Sequence, residues 1–376
     1  MAASPNPRHF RLDSTPVSVE IHPAHRATLA DAPQRDIREL TLDEVEEFVA
    51  AAGERAFRAR QVMGWLWQRD AASFDAMSDL SVGFREYLKH NFKIGPTPTA
   101  VVSRSADGTR KLLVALADGE AIESVIIPAG DRVTLCLSSQ VGCAMACEFC
   151  ATARMGLRRN MTVAEIVGQI AAARRELAPG EELTNYVFMG MGEPLANYQR
   201  LARALRIITS PWGMGISPRR LTVSTVGLIP AMERLLAEFP SLNVAVSLHA
   251  TTDELRDRLA PINKRYPLKA LIEACAALPI KRRDRVTFEY VMLAGVNDSP
   301  ADAHRLVKML GEVKAKVNLI IFNPFSGAGF APSSRAAVEG FQAILRQGNL
   351  TATIRESRGQ DIAAACGQLY AERRSG

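Results

Sequence analysis

The spacing of the apolar residues changes along the chain. From Thr41 onward these residues recur at helical spacing, and Thr41 and Glu44 have the arrangement of a capping box, so a helix is predicted to begin there. Between about residues 96 and 138 the period falls to two, around the Asp107-Gly108 and Asp118-Gly119 turns. The pattern therefore predicts a helical N-terminal domain followed by a short β extension.

Beyond residue 132, short apolar runs alternate with helical patterns. This alternation predicts βα units whose parallel strands form one sheet, here an α/β partial (β/α)6 TIM-like barrel. The predicted strands are 133–137, 185–189, 221–225, 244–248, 286–292 and 317–322. The predicted domains are a flexible extension (1–36), a helical domain whose basic residues are left for solvent or for binding RNA (37–95), a β extension or linker (96–132) and the barrel with its C-terminal segment (133–376).

Three cysteines, Cys143, Cys147 and Cys150, form a C-x3-C-x2-C run after the first predicted barrel strand. Thiolates gathered on one loop favour a soft metal, and an iron-sulfur cube normally takes four of them. A cube held by three keeps one iron open to chelate S-adenosylmethionine and pass it an electron, which produces a carbon radical. Zinc or inert buried thiols remain alternatives, although no histidine between His90 and His249 is present to complete a zinc site.

Glycines and polar residues cluster just past the predicted strand ends. They stand at 190–194 after the second strand, 224–225 at the third, 247–249 at the fourth and 323–324 after the sixth. The carboxyl ends of parallel barrel strands form the active face, and the cysteine loop would open onto it. Glycines at 190 and 192 let backbone carbonyls approach a ligand's ammonium group. His249, beside Ser247, is predicted to hydrogen-bond cofactor or substrate.

Composition and charge indicate the cellular compartment and the class of binding partner. A net charge of +6 and a pI near 9.1 favour an anionic partner, and three basic clusters near one predicted site favour nucleic acid. These clusters are Arg154, Arg158 and Arg159; Lys281, Arg282, Arg283 and Arg285; Arg355 and Arg358. Without an apolar signal core or a long uncharged apolar run, the chain is expected to be cytoplasmic. Its six cysteines are therefore expected to ligate or react rather than form a disulfide scaffold.

Two further cysteines complete a family resemblance. Cys136 lies on the first barrel strand, and Cys366 lies in RGQDIAAACGQL, at the predicted start of a C-terminal helix. Together with the segments CLSSQVGC, CAMACEFC, MGMGEP and SLHA, they resemble the RNA adenine 2-methyltransferases of the radical S-adenosylmethionine superfamily, the RlmN type. The match covers roughly residues 37–370.

The resemblance implies a mechanism and a set of site residues. Cys366 takes a methyl group from one S-adenosylmethionine, a second is cleaved to a radical at the 4Fe-4S cluster, and the activated methyl adds to carbon 2 of adenine. Cys136 then attacks Cys366 to release the product and leave a transient disulfide, and Glu123 accepts a proton. The implied metal ligands are Cys143, Cys147 and Cys150, and the implied cofactor-binding residues are Gly192, Glu193, Ser224, Ser247, Leu248, His249 and Asn323.

The family's substrate is large-subunit ribosomal RNA and often also the adenine 3′ to the anticodon in some transfer RNAs. The expected partners are these RNAs and a reducing electron-donor protein, and the chain is expected to be a monomer. Two rivals remain: the sister class that methylates carbon 8, although Val141 before Gly142 resembles the carbon 2 branch, and a non-catalytic, zinc-stabilised RNA-binding protein. Cys275 is interpreted as a core residue.

Overall fold

The computed structural model describes residues 34–95, 100–280 and 285–371. Its N-terminal domain begins with strand β1 (Arg35–Asp36) and ends with β2 (Phe92–Lys93), and the two pair in parallel. Between them lie helices α1 (Leu42–Ala51), α2 (Phe57–Trp67) and α3 (Val82–Asn91). Most of the expected 1–36 extension lies outside the described residues. Its last two positions belong to the folded domain instead, because β1 pairs with β2.

The N-terminal helices start and pack as their patterns predict. The Thr41 backbone N–H donates to Glu44 Oε2 at 2.8 Å, which closes the predicted capping box at the start of α1. Val49, Val62 and Leu88, one from each helix, are fully buried in a common core. The predicted helical domain is confirmed, and its core is aliphatic as well as aromatic.

The β extension consists of antiparallel strands β3 (Ala100–Arg104), β4 (Arg110–Ala115) and β5 (Ala121–Ala129). Gly108 and Gly119 lie in the connecting turns with φ of 85° and 81°, a conformation that favours glycine. β5 also pairs antiparallel with β6 (Arg132–Cys136), the first barrel strand. The segment expected as an extension or linker is therefore part of the main sheet, because its last hairpin shares hydrogen bonds with the barrel.

The barrel strands follow each other in parallel through the rest of the sheet. After β6, a short antiparallel pair, β7 (Gln140–Gly142) and β8 (Leu157–Asn160), brackets the cysteine loop. The remaining barrel strands are β9 (Asn185–Phe188), β10 (Leu221–Thr225), β11 (Asn243–Ser247), β12 (Val286–Met292), β13 (Ala315–Ile321) and β14 (Thr351–Arg355). All six predicted strands are confirmed. β14 was not predicted, because this edge strand pairs only with β13 and its polar sequence, TATIR, lacks an apolar run.

Within the described residues, ten strands form one sheet in the order β14-β13-β12-β11-β10-β9-β6-β5-β4-β3. β14 and β3 are its two edges, so the barrel is open, as predicted. The helices that accompany the strands are α4 (Ala151–Arg154), α5 (Val163–Arg175), α6 (Tyr198–Thr209), α7 (Ile229–Glu238), α8 (Asp253–Leu259), α9 (Leu268–Ala277), α10 (Pro300–Leu310) and α11 (Arg335–Gln347). None of the helices described is long and apolar enough to cross a membrane.

The segment around Cys366 differs from its prediction. In place of a helix start, the structure has a single 3-10 turn, Gln360–Ile362, followed by a loop. Gly359, Ala363 and Gly367 have φ of 65°, 50° and 85°, and left-handed residues at this spacing prevent a continuous α-helix. In the basic cluster near residue 283, Lys281, Arg282 and Arg283 lie outside the described residues.

Candidate active site

The cysteine loop is closed by its own backbone between β7 and β8. The Cys143 N–H donates to the Gly156 carbonyl at 3.0 Å, and the Cys150 N–H donates to the Cys147 carbonyl at 3.2 Å. Gly142 has φ of 76°, and a Cβ atom there would overlap the Gly156 carbonyl oxygen. Only glycine fits at this close approach, so the local sequence is sufficient to bring the three thiols onto one short loop.

The loop opens into a cavity of about 940 Å³ at the carboxyl ends of the barrel strands. We call this space the cofactor cavity. Of the residues expected to hold metal or cofactor, Cys143, Cys147, Cys150, Gly192, Glu193, Ser224, Ser247, His249 and Asn323 line it. Leu248 does not: its side chain is fully buried in the core, and its backbone N–H donates to the Glu289 carbonyl at 3.0 Å.

The three thiols would need a bound cation to ionise them. Burial raises the pKa of the Cys143 thiol to about 12 and raises the pKa values of the Cys147 and Cys150 thiols, so a bound cation must supply the charge that ionises them. Three thiolates on one loop are ligands that an iron-sulfur cluster can use.

The turn after β9 is attached to the segment that leads into the cysteine loop. Gly192 has φ of 93°, and a Cβ atom there would lie only 2.8 Å from the Gln140 backbone nitrogen. The Glu193 N–H donates to Gln140 Oε1 at 2.8 Å, and its carboxylate accepts from the N–H groups of Leu195 at 3.1 Å and Val226 at 2.8 Å. Burial raises the pKa of Glu193 to about 7. Glu193 therefore holds the turn and the end of β10 together.

His249 sits at the end of β11 in a left-handed conformation, with φ of 60°. Burial, aided by the Arg256 charge, lowers its pKa to about 3, so the imidazole is neutral at physiological pH. Its Nδ1 accepts the Val291 N–H at 3.1 Å, which leaves the proton on Nε2. The ring of Phe149 from the cysteine loop packs edge-on, with ring centres 4.4 Å apart. His249 is thus a fixed hydrogen-bond donor on the cavity wall.

A second cavity, of about 730 Å³, adjoins the first, and we call it the thiol cavity. Cys136 lines only this cavity, whereas Cys366 lines both. Burial, with a smaller contribution from Cys366, raises the pKa of Cys136 to about 12, and Arg355 opposes this shift. Arg355 also lines both cavities, so a cation lies beside both thiols.

The Cys366 loop, residues 356–371, is held by partners from distant parts of the chain. Asn323 Nδ2 donates to the Cys366 carbonyl at 3.2 Å, and the Ala151 N–H donates to the Gly367 carbonyl at 2.7 Å. On the other side, Asp361 accepts from Ser105 Oγ at 2.6 Å. Asn323 thus lines the cofactor cavity and also fixes the loop that carries Cys366.

Glu123, on β5, is buried and faces the same loop. One carboxylate oxygen forms an ion pair with Lys111 Nζ at 2.9 Å, and the other accepts the Tyr370 backbone N–H at 2.9 Å. A charged residue in an apolar strand usually faces water, but here its side chain points into the interior beside the C-terminal segment. The carboxylate is therefore held in one orientation.

Among the residues of the cofactor cavity that were not singled out from the sequence for this role are Phe149, Glu289 and Arg355. Glu289 carried a detectable signal, because it is the one charged residue in the strand VTFEYVM. Arg355 was noted only as part of a basic cluster, since the strand that carries it was not predicted. Phe149 carried no signal beyond its place in the cysteine loop.

A three-thiolate loop at the strand ends of an open parallel barrel, beside a cavity lined with polar groups, is the arrangement of a radical S-adenosylmethionine enzyme. The chain matches the family model of the radical SAM superfamily over residues 137–307 and that of the ribosomal RNA large subunit methyltransferase N-terminal domain over residues 35–94. A crystal structure of a radical SAM methyltransferase from Sphaerobacter thermophilus is 45% identical, with a TM-score of 0.83 over 90% of this chain and all of that one.

Curated relatives agree over nearly the whole chain. The dual-specificity RNA methyltransferase RlmN of Geotalea uraniireducens is 51% identical over 89% of this chain and 96% of its own. The probable RlmN enzyme of Moorella thermoacetica is 50% identical over 89% and 96% of the two chains. The chain belongs to the RlmN family of radical S-adenosylmethionine RNA methyltransferases, and the family uses a 4Fe-4S cluster and S-adenosylmethionine.

Proposed function

We propose that this enzyme methylates carbon 2 of an adenine in large-subunit ribosomal RNA and of the adenine 3′ to the anticodon in some transfer RNAs. The observation that carries the proposal is the position of Cys366, which lines both the cofactor cavity and the thiol cavity. A group received by this sulfur on the cofactor side is already adjacent to the cavity that contains Cys136. The relatives' dual specificity for RNA supports the choice of both substrates.

Cys143, Cys147 and Cys150 would hold the cluster, and Gly192, Glu193, Ser224, Ser247, His249 and Asn323 would surround S-adenosylmethionine. When bound, these groups supply a methyl group and a carbon radical, which is needed because carbon 2 of adenine is not nucleophilic. Cys366 accepts the methyl group on sulfur, as a thiolate. Since a methyl donor and a radical source are both consumed, we propose that two S-adenosylmethionine molecules are used per turnover.

Cys136 and Glu123 complete the reaction once the carbon bridges adenine and the Cys366 sulfur. Radical addition leaves one unpaired electron on the adduct, and the cysteine loop would hold the cluster that accepts this electron. Glu123, oriented by Lys111 and the Tyr370 N–H, then accepts the ring proton. The Cys136 sulfur then attacks the Cys366 sulfur, a disulfide forms, and the carbon–sulfur bond breaks. The electron pair of that bond stays with the carbon, which takes up a proton and becomes the product methyl group.

The reaction needs a source of electrons and an RNA substrate. We propose that a reducing protein supplies electrons, that the chain acts as a monomer, and that it works on RNA in the cytoplasm. The formal charge of +6 suits binding to phosphate backbones. An unpaired or flipped adenine is the expected target, because carbon 2 is inaccessible within a paired stack.

The test is anaerobic incubation of reconstituted enzyme with S-adenosylmethionine, reductant and ribosomal RNA or transfer RNA, followed by mass spectrometry of the digested nucleosides. We expect 2-methyladenosine from the wild type and from the control Cys275→Ala, whose thiol is buried on α9. We expect none from Cys136→Ala or Cys366→Ala, and roughly 100-fold less from Glu123→Gln. The appearance of 8-methyladenosine would assign the chain to the sister class, and product from Cys366→Ala would contradict the covalent mechanism.

A further inference from the structure

Glu289 is a buried acid in the cofactor cavity that the reaction described above does not use. It lies at the middle of β12, every residue of which is buried, and its own exposed fraction is 4%. Its carboxylate nevertheless lines the cavity beside Ser247, with which it is paired in register across β11 and β12. The two side chains therefore point to the same side of the sheet.

The carboxylate is held by neighbouring strands through one of its oxygens. Oε1 accepts from Asn318 Nδ2 at 2.9 Å, and Asn318 Oδ1 accepts from Thr353 Oγ1 at 2.6 Å. Asn318 lies on β13 and Thr353 on β14, so two strands set the orientation of Glu289. An acid oriented in this way has its second oxygen in a defined place.

That second oxygen, Oε2, is buried and has no hydrogen-bond partner among the residues that the structure describes. Arg355 stabilises the carboxylate from a distance but forms no ion pair with it within 4 Å, and burial raises the pKa of Glu289. Buried polar atoms in native proteins are nearly always paired, because an unpaired one loses its hydration without compensation. A buried acceptor on the wall of a ligand cavity indicates a donor on the ligand.

We propose that Glu289 Oε2 accepts a hydrogen bond from a ribose hydroxyl of S-adenosylmethionine. This inference rests on the proposed function. The cofactor carries three kinds of donor: the methionine ammonium, the ribose hydroxyls and the adenine amino group. The ammonium belongs beside the cysteine loop and the Gly190–Pro194 turn after β9, whereas Glu289 lies three strands further along the sheet. The ribose is the next part of the molecule, and the Ser247 and Glu289 pair suits its two adjacent hydroxyls.

The experiment measures equilibrium binding to anaerobically reconstituted enzyme, without turnover. The probes are S-adenosylmethionine, its 2′-deoxy and 3′-deoxy analogues, and an analogue without the adenine amino group. The proteins are wild type, Glu289→Ala, Glu289→Gln, Asn318→Ala and the control Asp302→Asn, which removes a buried carboxylate on α10, outside both cavities. Iron content and thermal midpoint establish that each variant is folded and loaded.

We expect the wild type to bind at least one deoxy analogue roughly ten-fold or more weakly than S-adenosylmethionine, the loss typical of a hydrogen bond to a charged acceptor. Glu289→Ala is expected to bind S-adenosylmethionine about ten-fold more weakly than the wild type does. For this variant, removal of the hydroxyl from the ligand should lower the affinity by no more than about two-fold. Asn318→Ala should fall between the two, because it leaves the carboxylate in place but unoriented. Asp302→Asn should match the wild type.

Three results would overturn the inference. If each deoxy analogue loses the same affinity in wild type and Glu289→Ala, Glu289 does not touch the ribose. If the Glu289 variants differ from the wild type only in a smaller loss of affinity for the analogue without the amino group, the carboxylate contacts adenine instead. If loaded wild type does not bind S-adenosylmethionine at all, the proposed function fails and the inference fails with it.

Discussion

The cysteine loop (143–150) and the Cys366 loop (356–371) both bring cysteine sulfur to the candidate site, but their backbones are held in different ways. The cysteine loop is closed on itself by nearby backbone groups, such as the Cys143 N–H on the Gly156 carbonyl, and makes a distant backbone bond, from the Glu148 N–H to the Leu259 carbonyl at 3.1 Å. The Cys366 loop depends on distant ones: Asp361 pairs with Ser105, and Gly359 donates to Asp107 Oδ2 at 2.9 Å. A metal site with local ligands can be recognised from spacing alone. A thiol that must meet a cofactor, a second thiol and a substrate requires tertiary contacts.

The β extension contributes to the main sheet and also holds the Cys366 loop in place. Its β3–β4 turn, with Ser105 and Asp107, binds the Cys366 loop, and its strands β4 and β5 supply Lys111 and Glu123. On the other side, Thr152 just after the cysteine loop donates to the Leu369 carbonyl at 2.7 Å. The Cys366 loop is therefore bound on one side by the β extension and on the other by the segment just after the cysteine loop. A shift of either one would move it.

The largest effect is expected from breaking the cysteine loop. Cys147→Ala should remove one of three cluster ligands, so the reconstituted protein should lose most of its iron, its visible absorbance and all detectable methylation. Iron analysis and nucleoside mass spectrometry measure these losses. Cys275→Ala is the matched control, because it removes another buried thiol away from the site and should retain full iron and activity. Full iron content in Cys147→Ala would refute this ligand assignment.

A smaller effect is expected from straining the Cys366 loop while the cysteine loop stays intact. Gly359 has φ of 65°, and a Cβ atom there would lie 2.8 Å from Thr109 Cγ2 and 2.9 Å from the Ala364 Cβ. Gly359→Ala should therefore displace the loop and lower RNA methylation roughly ten-fold, the equivalent of about 1–2 kcal/mol of strain, with iron content unchanged.

Gly340→Ala on α11 is the control for this substitution, since a Cβ atom there meets nothing within 4 Å. It should leave both the rate and the iron content unchanged. If Gly359→Ala lost iron in proportion to activity, displacing the Cys366 loop would also disturb the cysteine loop. The two loops would then not be held independently.

The smallest effect is a pH dependence of the contact between the β3–β4 turn and the Cys366 loop. Burial alone would raise the pKa of Asp107, but hydrogen bonds from Thr109 and the Gly359 N–H outweigh it and lower the pKa to about 2. Because the folded pKa lies below the unfolded value of about 3.8, Asp107 stabilises the fold above that value, and this stability is lost as the pH falls toward 2. The site is largely exposed, so we expect less than about 1 kcal/mol.

Hydrogen exchange at the Gly359 amide measures this contribution. Asp107→Asn should exchange faster than the wild type at neutral pH, and the difference should shrink as the pH falls from about 4 to 2. A difference that stays constant over this range would mean that the Asp107 charge is not what holds the amide.

The local features of the fold could be predicted because their causes lie within a few residues. The capping boxes at Thr41 and Thr162, the Gly108 and Gly119 turns and the six apolar strands all depend on neighbours in the chain. The strand ends could be expected to form one face because parallel strands place their carboxyl ends together. The fold and part of the cavity lining followed from these signals.

Other features could not be predicted because their causes lie far along the chain. β14 is stabilised by pairing with β13 rather than by its own polar sequence, and the loop around Cys366 is held by groups about 250 residues earlier. Leu248 lies next to two residues of the cavity, yet strand alternation directs its side chain into the core. The unpaired oxygen of Glu289 became visible only when its partners were known.

By itself, the amino-acid sequence determined the barrel class and the gathering of three cysteines on one loop, since both depend on local periodicity or spacing, and its resemblance to a family pointed to Cys136 and Cys366. Only the tertiary structure decided that Cys366 lines both cavities, that Glu123 is oriented by Lys111 and Tyr370, and that the β extension holds the Cys366 loop. The physical reason is that hydrogen bonds, ion pairs and burial between distant residues exist only after the chain has folded, and these interactions orient the reacting groups.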